Sequence, residues 1–311
     1  MMTFFARCPR PLAALVAGAL ALAPLTIGAH AQDLTIQHAK GATTVPAKLK
    51  KVVAFDMASL DTLNALGVEV SGVPTSRFPE YLAKYGSDKY EKVGTLFEPD
   101  YEAVNGADPD LIIVGGRSSA KYADLAKIAP TIDLTVAPKD FLGSVKRNVQ
   151  LLGKIFDKQA EAEAQLAKLE KSMADLRQDA AKAGKGLLVL TTGGKMSAYG
   201  PGSRFGVLHG EFGIVPAVEG LATTNHGQAV SAEFILKTNP DWLFVIDRDV
   251  VTGQGNGAAK KVLENELVAQ TTAWTKGQVV YLDPVNWYLV GGGLTALQAS
   301  VDQIAKAVMK K

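Results

Sequence analysis

The chain has 311 residues, of which 47% are hydrophobic, and its 33 basic residues nearly balance its 31 acidic residues. This balance gives no reason to expect binding to nucleic acid or to an anionic membrane surface. The single cysteine, Cys8, precedes the apolar run near the amino terminus, so an exported mature chain would hold no disulfide, no free thiol and no lipid-modified cysteine.

The first 31 residues have the pattern of a cleavable export signal. Arg7 and Arg10 precede an apolar run over 12–27, and the small-x-small triplet 29–31 is followed by polar residues. The run is shorter than the ~20 apolar residues of a membrane span. We therefore expect cleavage after Ala31, a periplasmic location, and a mature chain that is not inserted in the membrane.

The first half of the mature chain alternates apolar strands with helices. This alternation favours a mostly parallel sheet. The predicted elements are a strand at 51–55, a helix at 59–66, a strand at 68–73, a helical turn at 102–105, a strand at 111–114, a helix at 120–128, a strand at 131–136 and a helix at 141–156.

Residues 158–183 are predicted to form one long helix. The segment is rich in Ala, Glu, Lys and Leu, its larger apolar residues make one stripe, and Gly184 follows as a stop. At 1.5 Å per residue it would extend ~40 Å, enough to run the height of a domain as a strut. A stiff strut would limit hinge closure.

The second half repeats the α/β pattern, with strands at 186–190, 242–246 and 279–282 and a closing helix at 294–309. The predicted fold is α/β, with two Rossmann-like lobes of mostly parallel sheet bridged by the long helix. The predicted domains are the signal at 1–31, a first lobe at 32–157, the linker helix at 158–183 and a second lobe at 184–311.

An internal repeat supports this division. The segment from Asp108 to Arg117 aligns without a gap on the segment from Asn239 to Arg248, an offset of 131 residues that also places Glu102 on Glu233. Two similar lobes normally face each other across a cleft, and ligand sites favour such clefts. The matched residues are therefore the first candidates for function.

Three arginines are predicted to face this cleft. Arg117 and Arg248 follow apolar strands closely, and open α/β sheets bind ligands outside the carboxyl ends of their strands. Arg204 lies in a Gly-rich loop that could aim a third guanidinium inward. Three fixed positive charges indicate an anionic ligand, such as a carboxylate, a phosphate or a catecholate. The alternative for each is a solvated surface arginine, but the repeat favours function.

Tyr288 and His226 are candidate iron ligands. Tyr288 follows the strand at 279–282 and is expected in another loop at the cleft edge, where a phenolate would be a hard donor for ferric iron. His226 lies in a polar loop, where its imidazole could bind iron or could be solvated. Without further evidence, the preferred interpretation of Tyr288 is an aromatic side chain packed at a strand end with its hydroxyl bonded to backbone. Because 62 residues separate the two, spacing alone does not pair them.

Glu102 and Glu233 are each expected to begin the short helix before a matched strand, near the cleft rim. One interpretation is a carboxylate stabilised by the helix dipole, worth ~0.3–1 kcal/mol. The other is a pair of charged contacts for a partner with two-fold symmetry.

The mature chain resembles the periplasmic siderophore-binding proteins of ABC importers, specifically those that receive ferric catecholates and join two α/β lobes by a long helix. The resemblance is carried by the segments 111–117, 199–206, 226–231, 239–248 and 286–288. It implies that Arg117, Arg204 and Arg248 hold catecholate oxygens. It also implies that His226 and Tyr288 complete the shell of Fe(III), bound as a siderophore complex, when the siderophore is tetradentate.

The resemblance further implies that the protein is a monomer, that it is not an enzyme, and that Glu102 and Glu233 dock on a permease dimer, with Glu98 as an alternative in the first lobe.

Other classes of function have less support in the sequence. An α/β enzyme acting on an anionic substrate would lack both the G-x-G-x-x-G and the P-loop motif. Zinc or manganese capture would have only His38, His209 and His226 in the mature chain. A binding site for haem or cobalamin would not need three arginines, although the propionates of haem could bind one or two.

Overall fold

The computed structural model describes residues 1–4, 6, 33–253, 255 and 257–309. The predicted cleavage point after Ala31 lies outside the described residues. Within them, no helix combines the length and the apolarity that crossing a bilayer requires. Residues 32–311 cluster as a single compact unit, so the lobe boundaries at 157 and 184 remain predictions.

The first half of the chain forms a hairpin and a five-stranded sheet. In chain order the elements are β1 (Leu34–His38), β2 (Gly41–Val45), β3 (Val52–Ala54), α1 (Met57–Ala65), β4 (Gly72–Val73), β5 (Glu91–Lys92), α2 (Tyr101–Ala107), β6 (Leu111–Val114), α3 (Tyr122–Leu125), β7 (Thr131–Asp133) and α4 (Phe141–Ile155). Strands β1 and β2 pair antiparallel with each other. The sheet has the order β5-β4-β3-β6-β7, and all its neighbours are parallel.

A long helix separates this sheet from a second one of six strands. The elements are α5 (Gln159–Ala183), β8 (Lys185–Thr192), β9 (Lys195–Tyr199), α6 (Val207–Gly210), β10 (Val215–Pro216), β11 (Gln228–Val230), α7 (Ala232–Thr238), β12 (Trp242–Asp247), α8 (Arg248–Thr252), α9 (Ala258–Leu263), α10 (Glu266–Ala269), α11 (Thr272–Thr275), β13 (Val279–Tyr281), a π-helix (Val285–Val290) and α12 (Leu294–Val308). The sheet order is β11-β9-β8-β12-β13, and β10 also pairs with β8. The apolar stripe of α5 is buried, as its spacing predicts.

The internal repeat is visible in the backbone. Helices α2 and α7 begin at matched N-caps, where Asp100 accepts from the N–H of Ala103 and Ser231 accepts from the N–H of Phe234. Both helices end at matched left-handed residues, Asp108 at φ 50° and Asn239 at φ 43°. Asp and Asn tolerate this conformation better than other side chains that carry a Cβ. Glu102 and Glu233 therefore occupy the same position in the first turn of each helix.

A second matched contact ties each repeat to its neighbouring strand. The Asp110 carboxylate accepts from the backbone N–H groups of Lys50 (2.7 Å) and Lys51 (2.9 Å) just before β3. The Asp241 carboxylate accepts from the N–H of Lys185 (2.8 Å) at the start of β8. Each of these Pro-Asp aspartates thus sets the register between two parallel strands, which positions the loops at their far ends.

The closing helix α12 is assigned to the second lobe by sequence, yet it packs on α5 and on α1. Asp61 of α1 is fully buried and accepts from the backbone N–H groups of Thr295 (2.7 Å) and Ala296 (3.0 Å), and from the hydroxyl of Tyr81 (2.7 Å). The Tyr81 hydroxyl also lies 3.1 Å from the side chain of Asn286 in the π-helix. We call these five residues the Asp61 junction. It joins the start of α12 and the π-helix to α1 and to the short 3-10 helix that contains Tyr81.

Several local predictions were wrong. The strand expected at 68–73 is regular only over Gly72–Val73, and the helix expected at 120–128 shortens to a 3-10 turn plus α3. The second sheet contains an antiparallel hairpin, because Gly193 (φ 53°) and Gly194 (φ 77°) make a tight turn between β8 and β9. Tyr288 lies in the π-helix rather than in a loop.

Candidate functional site

The site is a cavity of about 710 Å³. It is lined by residues that follow the carboxyl ends of strands in both sheets, with Asp56 after β3, Arg117 after β6, Thr135 after β7 and Arg248 after β12. Parallel strands bring their carboxyl ends to one edge of a sheet, which is where such sheets bind ligands. The cavity therefore lies where the strand topology of both sheets predicts it.

The three predicted arginines converge inside this cavity on the ring of Tyr288. The guanidinium carbon lies 4.6 Å from the ring centroid for Arg204, 5.1 Å for Arg117 and 5.5 Å for Arg248. These distances are within the range of cation–π attraction. All four side chains are partly buried. The structure thus brings together residues that are as much as 171 positions apart in the chain.

Backbone carbonyls of the π-helix hold two of the guanidinium groups. Arg117 donates to the carbonyl oxygens of Tyr288 and Leu289 (3.3 Å for Leu289), and Arg204 donates to the carbonyl of Tyr288 (3.3 Å). These carbonyls lie at the end of the helix, where the last C=O groups lack intrahelical partners and carry partial negative charge. Cationic side chains are stabilised at such a position.

Arg248 is held by the second sheet. Its Nη1 donates to Thr192 Oγ1 (3.4 Å), while its buried Nε has no hydrogen-bond partner among the described residues. The neighbouring Asp249 accepts from Thr192 Oγ1 (3.1 Å) and from the N–H of Gly193. Thr192 thereby links Arg248 to the β8–β9 turn, and the guanidinium retains donors for a ligand.

The turn that carries Arg204 depends on two glycines. Gly202 has φ 75°, and a Cβ on Gly206 would lie 2.7 Å from a backbone nitrogen of the same turn. Ser203 Oγ donates to the carbonyl of Gly200 (2.6 Å) and closes the turn. The guanidinium of Arg204 then lies 4.6 Å from the ring of Phe205, which limits its freedom.

The arginines change the acidity of Tyr288. Burial alone would raise the pKa of the phenol, but the positive charges of Arg248, Arg204 and Arg117, with a hydrogen bond from Arg204, lower it below its ordinary value of 10.0. Burial also lowers the pKa of the Arg117 guanidinium, and the nearby charge of Arg204 acts in the same direction. The cluster therefore favours an anion, either a phenolate or a bound ligand.

His226 lies at the rim of the cavity. Its side chain is exposed in the loop before β11, and it lines the same cavity as Tyr288. The following Gly227 has φ 68°, and a Cβ there would lie 2.8 Å from the ring of Tyr199. The described residues contain no cluster of three or more His, Cys, Asp or Glu side chains placed to hold a metal.

The predicted docking acids lie elsewhere. Glu102 and Glu233 are exposed in the first turns of α2 and α7, and neither lines the cavity. A hydrogen bond with Ser231 lowers the pKa of Glu233. Glu98, the alternative in the first half, forms an ion pair with Lys121 at 2.7 Å. Among the described residues, Glu102 and Glu233 form no ion pair.

Sequence reasoning missed several residues that line the cavity, among them Asp56, Phe97 and Lys195. Asp56 had a detectable signal, because an Asp three residues before Ser59 directly after a strand is typical of a helix N-cap. Phe97 is 55% exposed, large for an aromatic side chain. Lys195 begins β9, directly after the Gly193–Gly194 turn that the sequence prediction did not include.

The chain matches a known protein family and is similar to a named binding protein. The family model described as Periplasmic binding protein matches residues 52–285. Petrobactin-binding protein YclQ of Bacillus subtilis is 43% identical over 284 residues, which cover 90% of this chain and 89% of that protein. Its crystal structure has a TM-score of 0.87 at 42% identity, covering 90% of this chain and all of that one (100%).

Two further solved structures are similar over most of their length. The periplasmic catecholate-siderophore binding protein VctP of Vibrio cholerae is 34% identical with a TM-score of 0.84, covering 88% of this chain and 100% of that one. The iron uptake ABC transporter substrate-binding protein PiuA of Streptococcus pneumoniae has the same identity and TM-score (34%, 0.84), covering 89% and 100%. With the family match and the identity to YclQ, they establish that this chain belongs to the periplasmic binding protein family.

Proposed function

We propose that the protein is the periplasmic solute-binding component of an ABC iron importer. It binds a ferric catecholate siderophore in the cavity, delivers it to a permease and performs no catalysis. The observation that carries this proposal is the convergence of three guanidinium groups on Tyr288 inside one cavity. The relatives named for siderophores and for iron uptake support the same class of ligand.

The charge of the site suits an anionic iron chelate. A ferric ion with two doubly deprotonated catechols carries one net negative charge, and a third catechol makes it more negative. Guanidinium groups present planar donors to such oxygens and remain protonated at any relevant pH. Because the cavity is partly buried, the attraction is screened less by salt than it would be on an open surface.

Tyr288 and His226 are proposed to complete the iron shell of a tetradentate ligand. A bis-catecholate supplies four oxygens, which leaves two positions of a six-coordinate ferric ion for a phenolate and an imidazole. The lowered pKa of Tyr288 favours the phenolate form, and the exposed position of His226 lets it approach from the rim. A hexadentate tris-catecholate would fill all six coordination positions of the ferric ion, so neither side chain could bind the iron.

A titration with ferric mono-, bis- and tris-catecholates, followed by intrinsic Trp fluorescence and charge-transfer absorbance, tests the proposal. Arg204→Ala should weaken ferric bis-catecholate binding roughly 10- to 100-fold, because it removes hydrogen bonds to charged oxygens. Arg147→Ala is the matched control, since Arg147 is exposed and pairs with Asp140 outside the cavity. Unchanged affinity in Arg204→Ala would show that Arg204 does not contribute to ligand binding. If the protein gave a Soret band with haem and bound no ferric catecholate, the ligand would be haem rather than a siderophore.

Three further features belong to this proposal. Export would use residues 1–31 with cleavage after Ala31, and the mature protein would act as a monomer whose two lobes, 32–157 and 184–311, are joined by α5. Glu102 and Glu233 would dock on basic residues of the permease dimer. Their matched position in α2 and α7 supports this role, because a two-fold partner can present identical sockets.

A further inference from the structure

One acidic side chain lines the cavity. Among the described lining residues, Asp56 is the only carboxylate, whereas four side chains are basic: Arg117, Lys195, Arg204 and Arg248. A carboxylate close to Arg117 lowers the positive potential that an anionic ligand meets. A site built only to attract an anion would bind it more tightly without Asp56.

The fold holds Asp56 firmly in place. It is the N-cap of α1, where one carboxylate oxygen, Oδ2, accepts from the backbone N–H (2.9 Å) and from the hydroxyl (2.7 Å) of Ser59. Across from it, a Cβ on Gly115 would lie 2.9 Å from the Asp56 carboxyl carbon. Gly115 therefore leaves the space that this carboxylate occupies beside the loop of Arg117.

The second carboxylate oxygen is free for a ligand. Oδ1 has no hydrogen-bond partner among the described residues, and Asp56 is only partly buried at the cavity wall. Burial raises the pKa of Asp56, while the Ser59 hydrogen bonds and the charge of Arg117 oppose that rise. An N–H or ammonium group of a ligand would satisfy Oδ1 and stabilise the charged form.

Helix capping does not explain a charge at this position. Asn and Ser cap helices about as well as Asp, so α1 could begin without placing a carboxylate in an anion site. We propose that Asp56 determines specificity within the proposed function, on which this inference rests. Its free oxygen binds an amine in the linker between the catechols, so the protein selects a ferric bis-catecholate with a cationic linker over one with a neutral linker.

Two synthetic bis-catecholates test this inference. Their linkers have equal length, and one carries a secondary amine where the other carries a methylene. The wild type should bind the ferric amine ligand roughly 10-fold more tightly, as expected for a charge-assisted hydrogen bond. Asp56→Asn should abolish this preference by weakening the amine complex and strengthening the methylene complex. Asp56→Ser, which also caps α1, should behave in the same way.

Asp100→Asn is the matched control, because it makes the same change at the N-cap of α2, outside the cavity. It should keep the full preference for the amine ligand. An equal preference in wild type and in both Asp56 variants would overturn the role of Asp56 and leave the proposed function intact. Failure of the wild type to bind either ferric ligand would instead overturn the proposed function.

Discussion

The Asp61 junction should be one of the main stabilising contacts of the fold. Asp61 is 0% exposed and accepts from Tyr81 and from the N–H groups of Thr295 and Ala296 at distances of 2.7, 2.7 and 3.0 Å. Asp61→Ala would leave the N–H groups of Thr295 and Ala296 without an acceptor, at about 1–3 kcal/mol each, and the Tyr81 hydroxyl would lose its shorter hydrogen bond and keep only Asn286 as an acceptor. Relief of the buried charge, seen in the raised pKa that burial causes for Asp61, offsets part of this cost. We expect a net loss of about 3–5 kcal/mol in the free energy of unfolding.

Urea denaturation followed by far-UV circular dichroism measures this loss. Tyr81→Phe should cost about 1–2 kcal/mol, because it removes one hydrogen bond of the same cluster. The double variant should lose less than the sum of the two single changes, by roughly 0.5–3 kcal/mol, because both remove the same contact. Asp175→Ala, which breaks an exposed ion pair with Lys171 on α5, should cost less than about 0.5 kcal/mol. An Asp61→Ala protein as stable as the Asp175→Ala control would refute the reasoning.

Tyr288→Phe keeps the ring and the carbonyl that hold the arginines, so it should weaken ferric bis-catecholates by tenfold or more and leave tris-catecholates nearly unchanged; equal effects on both in the fluorescence titration would exclude direct iron ligation. Glu102→Ala with Glu233→Ala should preserve ligand affinity but reduce stimulation of a reconstituted permease ATPase, and undiminished stimulation would refute docking. Burial lowers the pKa of His38, although Asp133 opposes this. The unfolded chain then binds the proton more tightly, so stability should fall as the pH drops below 6.5. His38→Asn should flatten that fall in thermal melts, and an unchanged pH slope would contradict it.

The sequence predicts the arginine cluster because its signals are periodic and local. Arg117 and Arg248 recur at one offset after apolar strands, and the carboxyl ends of parallel strands share an edge in any α/β sheet. The long helix α5 is predicted to within one residue at its start, since an uninterrupted stripe ended by Gly184 leaves little choice. These features depend on residues close together in the chain.

Features that depend on distant contacts escape such reasoning. Nothing in the periodicity of α12 shows that it packs on α1, because this choice depends on Asp61, more than two hundred residues earlier. Tyr288 lies in a π-helix, a conformation without a sequence signature as clear as that of an α-helix. The β8–β9 hairpin did have a signal in Gly193–Gly194, which the prediction of a mostly parallel sheet left unused.

The π-helix explains how three like charges can stay close together before any ligand arrives. Mutual repulsion among the guanidinium groups would spread them apart if only solvent held them. Instead, the carbonyls of Tyr288 and Leu289 at the end of the helix accept from Arg117 and Arg204, and the ring face of Tyr288 attracts Arg248 as well. The arginines are therefore ordered in advance, which lowers the entropic cost of binding an anionic chelate. Because the Asp61 junction fixes the start of this helix through Asn286, a change there should loosen the arginines as well as the fold.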